Sequence, residues 1–530
     1  MADISASGAA SPDRGGKVAA FFATPLRGLL SISALQLVLW TLVPALLNKT
    51  PPTDTLEGYM WGRQWVPMTY KHPQMPAWAL EITHDLTGSY SWGHFMLSQI
   101  FICATFMMVY LMARDMVGKR GALASVLLLP TLAVFSWGTR QFNHDVAQMP
   151  FWVAVSWLLW RASRDNKMGW WVALGLVSGI SLYAKFSMGL IMLFGALWLC
   201  IEPQARKRWA TAGPWVALAI IAVFSVTVIY NIVQLHFLPV TYADGRDGWV
   251  LNHRGRFYYI GVQVMLLLIL PIALYASGML SRAKDEPAGF DPRLLGDRRA
   301  RVYLLWMGVG PPLLLALASP FTGVGEAWSK PMYSLLGLIA VAYLGNRLTD
   351  RVLRRVAGWS VGVLLFGVVT YAIFVPVKCY VTGDLNNACV PGPTIGARLQ
   401  QIWHEQEHQP LGIVAGDGSM MMTAGVFASD LPSMFTDFNF AYSPWITPSR
   451  IARQGMMVIW ANAGPPPPGA APWVVGRQID RAKFPWAKGR PPLTVSYVIV
   501  PPKSKGKSDT AAGEKTATAT AVGTAAGAKK

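Results

Sequence analysis

Asp54 and Glu57 stand three residues apart in PPTDTLEGYMWGRQW, so on a helical turn the two carboxylates share one face. A carboxylate beside an acceptor hydroxyl can take its proton as a general base. At a helix start it can equally serve as a cap or dipole partner. Two lysines stand where they suit anion binding. Lys71, in TYKHPQMPAW, follows a tyrosine and precedes a run with helical spacing. A cation there can hold a lipid phosphate or pyrophosphate, or simply anchor the chain at a membrane surface. Lys185, in LYAKFSMG, has no other charge between Lys167 and Glu202. A solitary lysine in so apolar a stretch is costly in lipid and normally faces a polar cavity.

The elements that must position these groups are apolar and long. Of 530 residues, 53% are hydrophobic and only 14% are charged, against roughly 25% charged in soluble proteins. About eleven stretches approach the roughly 20 apolar residues that cross a bilayer. They lie near 28–47, 93–113, 121–136, 145–160, 168–184, 186–201, 214–235, 257–281, 302–318, 331–346 and 356–376. The net charge of +19 follows this pattern. Lys and Arg cluster in every second connector, as at Arg206/Lys207/Arg208 and Arg347/Arg351/Arg354/Arg355, which places those connectors and the N-terminus in the cytoplasm. The basic balance therefore reports topology, and no nucleic-acid partner is expected. Arg140, Lys330, Arg254 and Arg256 then fall near span ends on the outer side, where together they can neutralise a phosphate or singly be ordinary loop charges.

Four regions follow. Residues 1–27 are polar, rich in Gly, Ala and Ser, and read as a disordered cytoplasmic terminus; residues 28–376 form the membrane domain. Its first apolar stretch lacks a small-residue cleavage site and stays as a helix. In the first outer loop, 48–92, the run Pro76–Leu86 places Trp78, Ile82 and Leu86 at i, i+4 and i+8, which suits an amphipathic helix lying along the interface. Residues 377–502 alternate strand-like and helical patterns, as in GIVAGDGSMMMTAGVFA and SYVIV, and read as a small outer α/β domain. From Lys503 to Lys530 the chain is low-complexity and expected to be disordered. Cys379 and Cys389 lie ten residues apart on the outer side, where an oxidising compartment lets them pair; two free thiols are the alternative.

The run DTLEGYMWGRQW…YKHPQMPAW resembles the first-loop signature of bacterial membrane transferases related to the protein O-mannosyltransferases. That group includes the lipid A aminoarabinose transferases and the rhizobial galacturonosyltransferases. The likeness continues through GLVSGISLYAKFSMGLIML, NHRGRFYYIGVQVMLLLILP and WSKPMYSLLGL, over roughly residues 30–345. It implies an all-α polytopic membrane protein of the GT-C type, with about eleven transmembrane helices, the interfacial helix, and a C-terminal α/β periplasmic domain. It implies Asp54 as catalytic base and Glu57 as supporting acid, with Lys71, Lys185 and Tyr333 at the donor phosphate. By their position at outer span ends, Lys330, Arg254 and Arg256 are further candidates for that phosphate. Tyr59, His72, Arg140, Asn143 and His253 are candidates for the pocket wall. His253 falls where the aminoarabinose transferases place a histidine before an aromatic pair, but their acid directly before the lysine is Tyr70 here, so no bound metal is expected. Gln74 and Met75 replace the usual Pro-Leu.

The resemblance implies a multi-pass protein of the bacterial inner membrane whose site faces the periplasm. It would act as a monomer, without a cofactor, on a polyprenyl-phosphate sugar donor within the membrane lipid. The expected acceptor is a glycolipid such as lipid A or the core oligosaccharide. A transporter or flippase for a lipid-linked sugar is the alternative from another class. Such proteins commonly show pseudo-symmetric halves, which this chain does not.

Overall fold

The computed structural model describes residues 24–247, 257–280, 297–321, 324–325, 327–382, 386–416 and 418–503. The predicted disordered ends lie almost wholly outside the described residues, and His253, Arg254 and Arg256 lie outside them entirely. Helix α1 (Pro25–Leu47) opens with Pro at its first turn and carries no charge beyond Arg27. Leu29, Ile32, Gln36 and Trp40 are buried, with Gln36 bonded to Gln99 of α4 (Gly93–Leu127) and Trp40 packed on Tyr371, while Leu30, Val38, Leu42 and Leu46 point outward. Exposed leucines on a helix of this length are expected where the surrounding solvent is lipid.

Among the described residues, six helical segments are long and apolar enough to cross a membrane: Pro25–Leu47, Gly93–Thr131, Ala212–Gln234, Tyr258–Ser277, Arg298–Ala318 and Asp350–Thr382. A seventh arises if Met188–Ile201 and Pro203–Ala210, bent by 88°, count as one. The chain is a multi-pass membrane protein. Helix length gives this lower number than the eleven apolar stretches for two visible reasons. The stretches 93–113 and 121–136 follow one another within α4 as two helices separated by a kink at Gly118, whose φ of 74° and ψ of 172° are not helical. The helices α6 (Met149–Asp165), α7 (Met168–Ser181) and α8 (Met188–Ile201) have only 17, 14 and 14 residues. The bundle continues through α9 (Ala212–Gln234), α10 (Leu238–Asp247), α11 (Tyr258–Leu267), α12 (Ile269–Ser277), α13 (Arg298–Gly308), α14 (Gly310–Ala318), α15 (Leu336–Leu344) and α16 (Asp350–Pro376).

Between α1 and α4 lie α2 (Thr53–Gly62) and the predicted amphipathic helix, α3 (Met75–Thr87). On α3, Ala77 and Leu80 are buried while Ile82 and Leu86 are exposed, so an apolar stripe faces away from the protein. The two helices approach closely because α2 carries glycines one turn apart. A Cβ on Gly62 would lie 2.4 Å from the Ala77 carbonyl oxygen, and one on Gly58 would meet the Leu80 side chain. This contact fixes the helix that bears Asp54 and Glu57.

The C-terminal region is the α/β unit the residue pattern predicts. It comprises α17 (Gly392–Glu407), β1 (Ile413–Gly416), α18 (Gly418–Phe427), β2 (Ser433–Thr436), α19 (Pro448–Gln454), β3 (Met456–Ala461), β4 (Asp480–Phe484) and β5 (Leu493–Val500). Strand order is β2-β1-β3-β5-β4, parallel across the first three and antiparallel across the last two. Side chains alternate across the sheet. Ile413, Ala415, Phe435, Met456, Val458 and Trp460 build one core, while Val414, Met434, Met457 and Ile459 join the main hydrophobic core. The unit docks on the first loop. Thr50 Oγ1 donates to the Val390 carbonyl at 2.7 Å, and the Arg63 guanidinium donates to the Gly425 and Val426 carbonyls at the end of α18. Those terminal carbonyls lack helical partners, so a cation there is favourable. A disulfide joins Cys379 to Cys389 beside this junction; Cys103 and Cys200 are thiols.

Candidate active site

A cavity of about 450 Å³ opens where α2, the loop after it, the segment from Gln141 to Asp145 and the α7–α8 connection converge. Asp54, in the first turn of α2, is exposed to it; a carboxylate is favoured at this positive end of a helix. Its Oδ2 accepts from Asn143 Nδ2 at 3.1 Å and from Gln141 Nε2 at 3.3 Å. Asn143 has a second task. Its Oδ1 accepts from the backbone N–H groups of Asp145 and Val146, capping the short helix α5 (His144–Ala147). One side chain thus orients Asp54 and starts the helix that bears Asp145.

Lys71 stands at the tip of a turn closed by Thr69 N–H to the His72 carbonyl. Gln74, where the resembling family has proline, is buried, and its amide donates to Thr69 Oγ1 and the His72 carbonyl. Lys71 Nζ donates to Glu57 Oε1 at 2.7 Å. Its ammonium also lies 5.3 Å from the Tyr70 ring, 5.4 Å from Tyr242 and 5.7 Å from Trp61, an arrangement that stabilises a cation. Burial pushes the Glu57 carboxyl upward from its ordinary range; the Lys71 ammonium opposes this, and Asp54 and Asp437 add to it. Burial alone would lower Lys71, but the Glu57 carboxylate and the Tyr70 phenol outweigh it, so the ammonium is held firmly.

Lys185 lies in the break between α7 and α8 and donates to Asp145 Oδ1 at 2.5 Å, with both side chains only 10% exposed. The Trp328 ring lies 5.6 Å from its ammonium. Ser187 Oγ bonds Gln148 Oε1 at 2.7 Å, and the Tyr183 carbonyl accepts from Met75 N–H, fastening this break to α6 and α3. His144 Nε2 lies 3.0 Å from the Pro73 carbonyl oxygen, and its ring packs on His72 at 4.3 Å. An ammonium has three N–H donors. Each lysine spends one on a carboxylate.

Of the residues singled out in the sequence, Asp54, Glu57, Lys71, His72, Asn143 and Lys185 line this cavity. Lys330 stands just behind the wall, within Coulombic reach of Asp145 and with its Cε 3.7 Å from where a Cβ on Gly138 would lie. Three others are not in the lining. Tyr59 is two residues from Glu57, hence on the opposite face of α2, and is fully buried against Tyr90 and His94. Tyr333 turns its hydroxyl to Gln263 Oε1 at 2.7 Å. Arg140 ends the turn Trp137–Thr139, and its neighbour Gln141 is the residue that reaches Asp54. Asp145 and His144 were missed. A signal existed: the buried cation at Lys185 needs an acid, and NHDVAQMP holds a lone one at the head of an apolar stretch. Among the described residues, no group of three or more His, Cys, Asp or Glu side chains could hold a metal ion.

Residues 71–230 match the family described as dolichyl-phosphate-mannose-protein mannosyltransferase. Two crystal structures of ArnT from Cupriavidus metallidurans share the architecture. The one bound to undecaprenyl phosphate is 14% identical, with a TM-score of 0.58. The apo state is 15% identical at 0.57, and in both cases the match covers 88% of this chain and 97% of the other. The chain has the GT-C fold. The Archaeoglobus fulgidus oligosaccharyltransferase is more distant, at 11% identity and a TM-score of 0.44, over 83% of this chain and 70% of that one. No curated protein sequence matches. Within this GT-C chain, the family-matched stretch contains Lys71, Asp145 and Lys185, while Asp54 and Glu57 precede it.

Proposed function

We propose that this protein is a glycosyltransferase that moves a monosaccharide from a polyprenyl-phosphate carrier to an envelope glycolipid. The observation that carries this reading is one cavity in which a carboxylate oriented by two amides faces two ammonium groups from distant segments. The bound lipid of the similar ArnT structure, undecaprenyl phosphate, supports a lipid-phosphate donor. The donor phosphate lies against Lys71 and Lys185. Asp54 takes the proton of the acceptor hydroxyl, and that oxygen attacks the anomeric carbon. The carbon–oxygen bond to phosphate breaks, and polyprenyl phosphate leaves with the electron pair, so the anomeric centre inverts. Positive charge fixed beforehand at the leaving oxygens stabilises this transition state. Glu57 holds Lys71 in place. The charge pattern of the connectors supports a bacterial inner-membrane protein with this cavity on the periplasmic side. Lipid A or core oligosaccharide is the acceptor class this favours.

The test is the purified protein in detergent, given a polyprenyl-phosphate sugar and extracted envelope glycolipid. Turnover is expected without a sealed bilayer, which a transporter would require. Asp54→Asn should lower the rate by about 10²–10⁴-fold. Its melting temperature should fall only slightly, because Asp54 is exposed and gives up only its favourable place at the positive end of α2. An Asp54→Asn protein with full activity would remove Asp54 from the mechanism.

A further inference from the structure

The carboxyl ends of the parallel strands in the α/β domain include the end of β2, and open sheets of this kind gather ligand contacts at such ends. The chain leaving β2 passes close behind the wall of the cavity described above, with Asp437 within Coulombic reach of Glu57. Asp437 and Phe438 adopt left-handed φ angles of 50° and 57°, a conformation that costs a non-glycine residue energy and persists where the surroundings enforce it. Here Asp437 N–H donates to the Gly416 carbonyl, Thr436 N–H to the Ser443 hydroxyl at 3.0 Å, and Trp445 Nε1 to the Met434 carbonyl at 2.8 Å. The product of this bracing is the placement of one ring. Tyr442 lies flat on Tyr70, with centroids 4.1 Å apart and planes 10° from parallel.

Tyr70 is buried, and its ring edges meet Trp61 and Tyr242. These three rings wall in the Lys71 ammonium. We infer that Tyr442 is a positioning residue for the lipid-phosphate site, setting Lys71 through the ring of Tyr70. The inference rests on the proposal that Lys71 meets a donor phosphate. Lysine has four rotatable side-chain bonds, and confining it before the ligand arrives removes an entropic cost from binding. Docking of the α/β domain does not need this stack. Lys49 N–H to the Ala388 carbonyl, Thr50 to Val390, and Arg63 to Gly425 and Val426 hold the domain elsewhere. The domain is therefore a working part of the site rather than a cover for it.

The experiment titrates the full-length protein in detergent with undecaprenyl phosphate and records melting temperatures alongside. Tyr442→Ala should weaken binding about tenfold, and Tyr442→Phe should bind as the native protein does, since stacking uses the ring and not the hydroxyl. Melting temperatures of both should stay near native. If Tyr442→Ala proves unstable, Tyr442→Leu, which keeps the bulk without the flat ring, should show the same loss of affinity. Native protein that fails to bind undecaprenyl phosphate would refute the donor assignment itself. Native protein that binds, with Tyr442→Ala or Tyr442→Leu binding equally well, would refute the positioning role alone. Equal losses in Tyr442→Phe and Tyr442→Ala would also refute it, because the stack would then not be the cause.

Discussion

Replacing Lys185 by Met leaves the Asp145 carboxylate without its ammonium in a site where both side chains are only 10% exposed. At their 2.5 Å separation, and an effective dielectric constant of about 20, the two charges attract by roughly 6–7 kcal/mol. Much of this offsets the desolvation of both groups, so the net value of the pair is small. Removing one member forfeits the attraction and keeps the other's desolvation cost, which amounts to about 3–5 kcal/mol. Lys330 stands within reach of Asp145 and should soften the loss toward the lower figure. Asp145→Asn alone should cost a similar amount. The double variant Lys185→Met/Asp145→Asn removes both charges and should regain about 2–3 kcal/mol relative to the sum of the singles. Chemical unfolding in mixed micelles, followed by tryptophan fluorescence, measures all four proteins. The stable double variant should still fail to bind undecaprenyl phosphate, since the proposed phosphate partner is gone. Additive single effects, with coupling under about 0.5 kcal/mol, would refute the buried pair. A double variant with native lipid binding would refute the role given to Lys185.

Gly62→Ala should destabilise the protein by about 1–3 kcal/mol. The new methyl meets the Ala77 carbonyl at 2.4 Å, a backbone atom that cannot turn aside. Because α2 must then move with Asp54 and Glu57, transfer should fall by roughly 10²-fold; native stability and rate together would contradict this packing. Glu81, buried on α3 near Tyr90, has its carboxyl pushed up to about 7, chiefly by burial, with Arg63 opposing. A folded-state value above the unfolded one means the native state holds the proton longer. The contribution to stability is intact below about pH 4.5 and is lost as pH rises toward 7. Each unit corresponds to about 1.4 kcal/mol, and solvent screening at this site reduces the total to about 1–2 kcal/mol. Glu81→Gln should therefore exceed native stability by that amount at pH 8 and lose most of the advantage near pH 5. A pH-independent difference between the two melting curves would show that Glu81 is not shifted.

The helices were legible because their cause is local. Twenty apolar residues without a charge have few alternatives in a bilayer, and α1 and α9 follow the composition alone. The amphipathic spacing of Trp78, Ile82 and Leu86 likewise gave α3 its exposed stripe. Helix length was harder to read, because α7 and α8 are as apolar as the longer helices but have only 14 residues each and meet at the polar break that carries Lys185. Residues with a forced environment were legible too. Lys185 had to face something polar, since nothing charged stands near it in the chain. What faces it was less plain: the lone acid of NHDVAQMP was a candidate, but Asp145 reaches Lys185 through a fold contact that no spacing encodes. Tyr59 was misread for the reverse reason: an aromatic beside two catalytic-looking acids is on the wrong face of the helix once the 100° step per residue is applied.

The pairing of both lysines changes what a cation in this motif can be taken to mean. A lone lysine at a membrane boundary suggests an open phosphate site, whereas here Glu57 and Asp145 already hold Lys71 and Lys185 in fixed positions. An ammonium so held presents its remaining N–H groups in set directions, so the ligand need not order a long side chain on arrival. The same carboxylates offset much of the positive charge, which weakens attraction for any anion that does not fit between the lysines. Discrimination then comes from geometry more than from net charge. It follows that Glu57→Gln, which keeps an oxygen acceptor for Lys71 but removes the negative charge, should bind inorganic phosphate more tightly than the native protein does. Its rate of sugar transfer should nevertheless fall, because the proposed mechanism relies on Lys71 being anchored by Glu57 at the leaving phosphate.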